Sequence, residues 1–498
     1  MSIKPQYDNY RYTSELCNLE SQSIVECRLP SGEISSVLTV FAHAVPEEVS
    51  CTDGEVKYSG KLYLTVVYKD LDGNICRAER GAEFFHKAQD ERVTPTCFAK
   101  AKFETDGIKT RREGSGFFIS IVVSAKIEVY GTAQMEYLVG GEGLITKSGQ
   151  AEIVKTVCVS GETEEEDSFE TDGISDVLMH FERANVAQSY LSGDKVSVIG
   201  EVLLSICSLK DEKLSSYEKQ IPFRVELPVD ESAEKVPVRA QTSVKSAQIT
   251  VTTDEEKNKS KFSVSLVLYT ECLFYVKEEV SVCDDVFSTQ CNLRITEEKV
   301  GGRYLTNVQR FTERIGGNAS LNVAFEGDFT LQSVVKSRAE LSYKKTPNGC
   351  EAEGYIEAEM LIQCSDGLRS ANLTLPFVFP MQTDEGEVEL DGVVYGLSAR
   401  KVGDKVEAEC TLKVTARSYQ KSESVFVASV EEGEKYQEPT SAISIYIPTE
   451  GDGLWEISKK LKRSPEDVKR SNPTLEFPVK RGERLFIYRQ WQEQEKNC

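Results

Sequence analysis

Histidine and tryptophan are scarce in this 498-residue chain, which holds three His and two Trp, and its 14 cysteines include no Cys-x-x-Cys pair. A zinc site or a redox dithiol read from sequence needs ligands two to four residues apart, so that spacing is excluded. Gly-x-Ser-x-Gly, the Walker-type phosphate loop and His-Glu-x-x-His are also missing, which removes the sequence signatures of hydrolase, nucleotide and zinc-protease chemistry. His43, His86 and His180 fall in separate strand-like segments. No apolar run reaches the roughly 18 residues that cross a bilayer, and the first ten residues lack the basic start and apolar stretch of a secretory signal. The expectation is a cytosolic, non-enzymatic protein with no metal and no cofactor.

Positive charge is the other shortage. With 59 Lys plus Arg against 81 Asp plus Glu, the formal net charge is -22, which repels phosphate backbones and anionic membranes. Nucleic acid and membrane are therefore not expected partners. Residues 441 to 498 hold 11 basic and 9 acidic side chains, so the acidity belongs to the rest of the chain. Among the cysteines, Cys272 and Cys410 lie on apolar faces and read as buried thiols, whereas Cys498 ends the chain as the best candidate for an exposed one.

What is abundant is two-residue alternation, the mark of strands with one buried face. Val406, Ala408, Cys410, Leu412, Val414 and Ala416 share one face of a run whose other face reads Glu407, Glu409, Thr411, Lys413, Thr415 and Arg417. Ile119 to Val129 and Phe262 to Phe274 alternate alike, and the three runs end in Tyr130, Tyr275 and Tyr419. The fold is expected to be mainly β.

The pattern repeats. Ile34-Ser-Ser-Val-Leu38 returns as Ile174-Ser-Asp-Val-Leu178, and Gly60, Gly200 and Gly354 each open a strand-turn-strand that runs to Phe84, Phe223 and Phe377. Pro222 and Pro376 precede the last two phenylalanines, and Asp72-Gly73 and Asp366-Gly367 sit where hairpins turn. This predicts three diverged copies of a unit of about 100 to 110 residues. The expected divisions are an N-terminal segment 1–30, repeat 1 over 31–150, an acidic linker 151–172, and repeat 2 over 173–290. Repeat 3 with a leading segment covers 291–430, a linker 431–442, a terminal module 443–489 and a tail 490–498. The linker reading rests on the charge run Gly161-Glu-Thr-Glu-Glu-Glu-Asp-Ser168.

The terminal module reads β-α-α-β. Ile443 to Ile447 alternate, Leu454 to Leu461 has helical spacing with Asp452 placed to cap it, Ser464-Pro-Glu-Asp467 starts a second helix, Asn472-Pro473 stops it, and Arg484 to Tyr488 forms a strand. Trp455, spaced helically with Ile457 and Leu461, reads as a core aromatic, with a sugar-stacking platform as the alternative. Lys459, Lys460, Lys462 and Arg463 read as a solvated helix end or a face toward an acidic partner. The stretch Glu450-Gly-Asp-Gly-Leu-Trp-Glu-Ile-Ser458, with Ser464 to Pro473 and Val479 to Ile487, resembles the LysM family. It departs from the family at Gly453, usually threonine, and at Ser458, usually alanine. The resemblance implies a groove that binds N-acetylglucosamine polymers or a protein, formed by Asp452, Gly453, Leu454, Trp455, Ile457, Asn472, Pro473, Thr474 and Leu475.

Three β-rich repeats with the Gly and Pro-Phe pattern, followed by one LysM-like module, resemble the SPOCS-domain spore-coat morphogenetic proteins of endospore-forming bacteria. That resemblance implies a non-catalytic scaffold made in the mother cell and assembled at the forespore surface. Its implied partners are the ATPase of the coat's basement layer, other coat proteins and cortex peptidoglycan. The alternative expectation is a peptidoglycan-binding anchor of the cell envelope.

Overall fold

Alternation makes strands, and strands make up nearly all of the chain. The computed structural model describes residues 3–30, 34–113, 116–210, 213–230, 236–323, 328–347, 349–365, 367–382, 386–436 and 443–488. Asp366, the second half of the 431–442 linker and the 490–498 tail with Cys498 lie outside the described residues. Among the described residues, no helix is long and apolar enough to cross a membrane.

Six strands form the first unit: β1 (Lys4–Pro30), β2 (Ile34–Thr52), β3 (Glu55–Asp70), β4 (Ile75–Gln89), β5 (Phe98–Glu113) and β6 (Gly116–Glu142). They pair antiparallel as two sheets, β1-β6-β5 and β2-β3-β4, which enclose one apolar core. The second unit repeats this order with β7 (Ile145–Asp172), β8 (Ser175–Ser192), β9 (Lys195–Lys210), β10 (Lys213–Pro228), β11 (Arg239–Asp254) and β12 (Lys259–Phe287), in sheets β11-β12-β7 and β10-β9-β8. The third uses β13 (Cys291–Leu321), β14 (Thr330–Thr346), β15 (Gly349–Cys364), β16 (Gly367–Met381), β17 (Glu387–Val402) and β18 (Lys405–Lys435). Here the pairs Ser320 with Thr374 and Leu321 with Leu373 join β13 to β16, merging both sheets into one of six strands.

The repeating element is therefore longer than the expected 100 to 110 residues: the units begin at Lys4, Ile145 and Cys291. The N-terminal segment is the first strand of unit one, and the segment leading repeat 3 is the first strand of unit three. The supposed acidic linker is likewise the first strand of unit two. Within β7, Gly161 to Ser168 pairs residue for residue with β12, while its carboxylates meet lysines from neighbouring strands, Glu162 with Lys245 at 2.6 Å and Asp167 with Lys219 at 3.3 Å. A row of acids on an edge strand keeps that edge from pairing with other chains. The first part of the expected 431–442 linker is also strand, since β18 runs to Lys435.

The repeated glycines face the repeated phenylalanines directly across the sheet: Gly60 opposite Phe84, Gly200 opposite Phe223, Gly354 opposite Phe377. Each ring lies over the bare backbone, a cross-strand pairing that restores the contact a missing side chain would give. Seven residues after each glycine come Val67, Cys207 and Leu361, all buried in one cluster shared by the three units. Equivalent positions of the three units thus meet in one apolar cluster.

A second convergence involves the long strands. β5 stops pairing with β6 at Tyr130, β11 with β12 at Leu273 and β17 with β18 at Tyr419. Beyond those points each unit continues as a two-stranded ribbon, a form too small to be stable by itself in water. The three ribbons solve this by packing on each other. Tyr130, Tyr275 and Tyr419 lie buried in one cluster with Val154, Leu273 and Leu305, and the ribbons continue through Met135, Tyr137, Ile153, Val282, Val300 and Phe426.

Between these two apolar layers the units meet through polar faces. Arg239 of unit two pairs with Glu128 of unit one, Lys413 of unit three with Glu201 of unit two, and Arg338 of unit three with Asp106 of unit one at 2.8 Å. The Lys413 and Arg417 side chains retain only 30% and 13% of their accessible surface. The Lys413 to Arg417 end of the polar face of the 406–417 run is thus half-buried, with Lys413 reaching unit two and Arg417 pairing with Asp391 of its own unit. The apolar face of this run is buried as expected, as are those of β6 and β12. Burial pushes the Cys272 and Cys410 thiols up to about 12, which leaves them protonated and inert at neutral pH.

Candidate functional site

The C-terminal module is built from β19 (Ile443–Tyr446), α1 (Leu454–Leu461), α2 (Pro465–Ser471) and β20 (Leu485–Tyr488), with β19 and β20 paired antiparallel. Ser464 caps α2 through its hydroxyl, which accepts from the Asp467 amide at 3.1 Å, and Pro465 fills the first helical position. Asp452 does not cap α1. Its carboxylate instead accepts from the Thr449 amide at 3.1 Å and pairs with Lys460 at 2.9 Å, and Gly453 occupies the cap position with no side-chain bond. Ile457, Val468, Val479 and Leu485 make the core, with Leu454 and Leu475 packed on it.

The nine residues expected to share a groove take different places. Ile457 is fully buried, and Leu454 and Leu475 support the core. Asn472 is turned inward: its side-chain amide donates to the Val468 and Phe486 carbonyls, each at 3.0 Å, and its oxygen accepts from the Phe486 amide at 2.7 Å. It clamps the end of α2 to β20. Asp452 ties its loop to the far turn, its carbonyl accepting from the Val479 amide at 3.0 Å. Pro473 and Thr474 are exposed beside this clamp.

Trp455 is not part of the module core. Its indole N–H donates to Asp285 at 2.7 Å and its ring meets Phe287 edge-on, with centroids 5.2 Å apart. Lys459, one turn along α1, donates to the other Asp285 oxygen at 2.6 Å. Both partners belong to the ribbon tip of β12, where the register shifts between Cys283 and Asp285. Such a bulge re-aims a side chain, and here it coincides with the carboxylate that meets the module. Burial works to raise the Asp285 pKa, but hydrogen bonds from Lys459 and Trp455 outweigh it and hold the carboxyl below its usual value. Lys462 adds a cation over the Tyr436 ring, 5.0 Å from its centroid. Lys459 and Lys460 thus find acidic partners within the same chain.

Asp285 and Phe287 were not legible as site residues, because nothing in their surroundings marks a contact some 170 positions away. The module's outer side differs in character. Ile443 and Ile445 stand opposite Tyr488 and Phe486 on one face of the strand pair, and all four are exposed.

The units also bring together two histidines that are far apart in sequence. His180 pairs with Glu182, and His43 lies near both. Arg183 reaches the Ser337 carbonyl at 3.4 Å and Lys336 the Thr105 carbonyl at 3.2 Å, so this charged cluster ties all three units together. Among the described residues, no group of three or more His, Cys, Asp or Glu is placed to hold a metal ion. Scans against family models, curated proteins and solved structures find no match to this chain, so its function rests on the residues themselves.

Proposed function

We propose that this chain is a non-catalytic scaffold of the bacterial endospore coat, in which three fused SPOCS-like units form the body and a LysM-type module forms a docking head. The head would localise coat material to the forespore surface by binding the ATPase of the coat's basement layer. The observation that carries this reading is the position of Trp455. An aromatic that could serve as a sugar platform is held by Asp285 and Phe287 of the chain's own body. A protein surface is left outward instead. The β-α-α-β order of the module supports its kinship with LysM, and a body knit by three apolar clusters suits a rigid carrier.

The test is retention of the full chain on two matrices, purified cortex glycan and immobilised basement-layer ATPase. Retention by the ATPase and passage through the glycan is the expected result. Retention on glycan alone would replace this reading with that of a peptidoglycan-binding envelope anchor.

A further inference from the structure

Among the described residues, the two-stranded sheet of the module has one face packed on the core and one exposed. Tyr446 and Leu485 point inward and belong to the module core. Ile443, Ile445, Tyr488 and Phe486 point outward in two cross-strand pairs, and Ile447 extends the row. These five side chains are 57%, 58%, 51%, 44% and 66% exposed in that order. Single exposed apolar residues are ordinary on a protein surface, but a contiguous group of this kind marks an interaction site.

Next to this face runs a groove of about 380 Å³ between α2 and β20. Phe486, Ile487 and Tyr488 line one side, while Arg463 and Arg470 line the other, Arg470 already paired with Asp467. The groove lies away from the Trp455 contact, which belongs to α1 and the body. Aromatic rings beside guanidinium groups form a surface for apolar side chains flanked by carboxylates. Aliphatic isoleucines offer a sugar no hydrogen bonds, so the chemistry of the face favours protein over glycan.

A second copy of the same chain is a poor occupant. Two such faces meeting symmetrically would bring the arginines of both grooves together, and like charges oppose that pairing. A different protein can engage the face and the arginine groove together.

We propose that the outward face of the β19-β20 sheet, with the Arg463/Arg470 groove, is the surface on which the head takes up a segment of a partner protein that presents apolar side chains beside acidic ones. This rests on the reading of the module as a protein-docking head. It assigns the contact to Ile443, Ile445, Phe486 and Tyr488 rather than to the Asp452 to Trp455 loop.

The experiment compares the full wild-type chain with the double variant Ile445→Ser, Phe486→Ser. Both residues are exposed, so the change leaves the module core intact, as circular dichroism and the melting profile will verify. Three probes are used: purified basement-layer ATPase, an N-acetylglucosamine hexamer, and the chain itself in sedimentation. The expected result is at least tenfold weaker ATPase binding by the double variant, with a control at an exposed apolar residue of the body, Val378→Ser, unchanged. Equal binding by wild type and double variant overturns the assignment while leaving the docking reading in place. Failure of the wild type to bind the ATPase overturns both. Loss of hexamer binding, or of self-association, in the double variant identifies a sugar or a second copy as the occupant and overturns the protein-segment proposal.

Discussion

Gly200→Ala will destabilise the folded chain by about 3 kcal/mol, near the upper end of what overpacking a close-packed site costs. A Cβ at Gly200 would stand 2.5 Å from the Phe223 ring and closer still to the Asn185 carbonyl. Backbone lies on one side and a core aromatic on the other, so neither neighbour can give way without moving a strand. Gly60 is held the same way, 2.5 Å from Phe84 and 2.7 Å from the Val45 carbonyl, and Gly354 lies against the Glu340 carbonyl and Phe377. The control is Gly317→Ala in β13, where an added methyl meets nothing within 4 Å. That substitution should fall within about 0.5 kcal/mol of wild type. Thermal unfolding checks both: with the three units melting as one body, Gly200→Ala should melt roughly 3 °C lower and Gly317→Ala almost unchanged. Equal melting of the two would show that the repeated glycines are not placed by close packing.

Asp285→Ala will release the C-terminal module from the body. The substitution removes two hydrogen bonds made by one partly buried carboxylate, to the Trp455 indole and the Lys459 ammonium. Charge-assisted bonds of this kind contribute about 1.5 to 3 kcal/mol each, and the partial exposure of Lys459 puts its bond at or below the low end, so the docking equilibrium constant should fall roughly a hundredfold. Trp455 reports the change. In a Trp491→Phe background its emission should shift to the red and its quenching by acrylamide should rise, while the module keeps its own core around Ile457, Val468 and Leu485. Asp285→Asn should fall between, since an amide oxygen still accepts but the Lys459 charge loses its partner. Emission identical to wild type in Asp285→Ala would remove Asp285 from the dock.

These two expectations sit on different sides of what a sequence can disclose. The Gly and Phe pairs were visible because each pair lies within one strand-turn-strand, and the apolar faces of β6, β12 and β18 were visible because period two is a local signal. Tyr130, Tyr275 and Tyr419 were marked as the ends of those runs, but their meeting is a property of three ribbons packing together. The true length of the repeat was hidden because the first strand of each unit is polar. In β7 the run of Glu164, Glu165 and Glu166 has the composition of a solvated linker, yet backbone pairing with β12 does not depend on side-chain polarity. The module's local order was readable from its caps and turns. Its relation to the body was not, since the contact depends on a bulge near the end of β12.

The central claim is that the body is a carrier and the module its address. Its most direct measurement is the position of fluorescent fusions in sporulating cells, comparing the full chain with one lacking residues 441 to 498. The full chain should encircle the forespore, and the truncated chain should remain folded but spread through the mother cell. A truncated chain that still encircles the forespore would contradict the account.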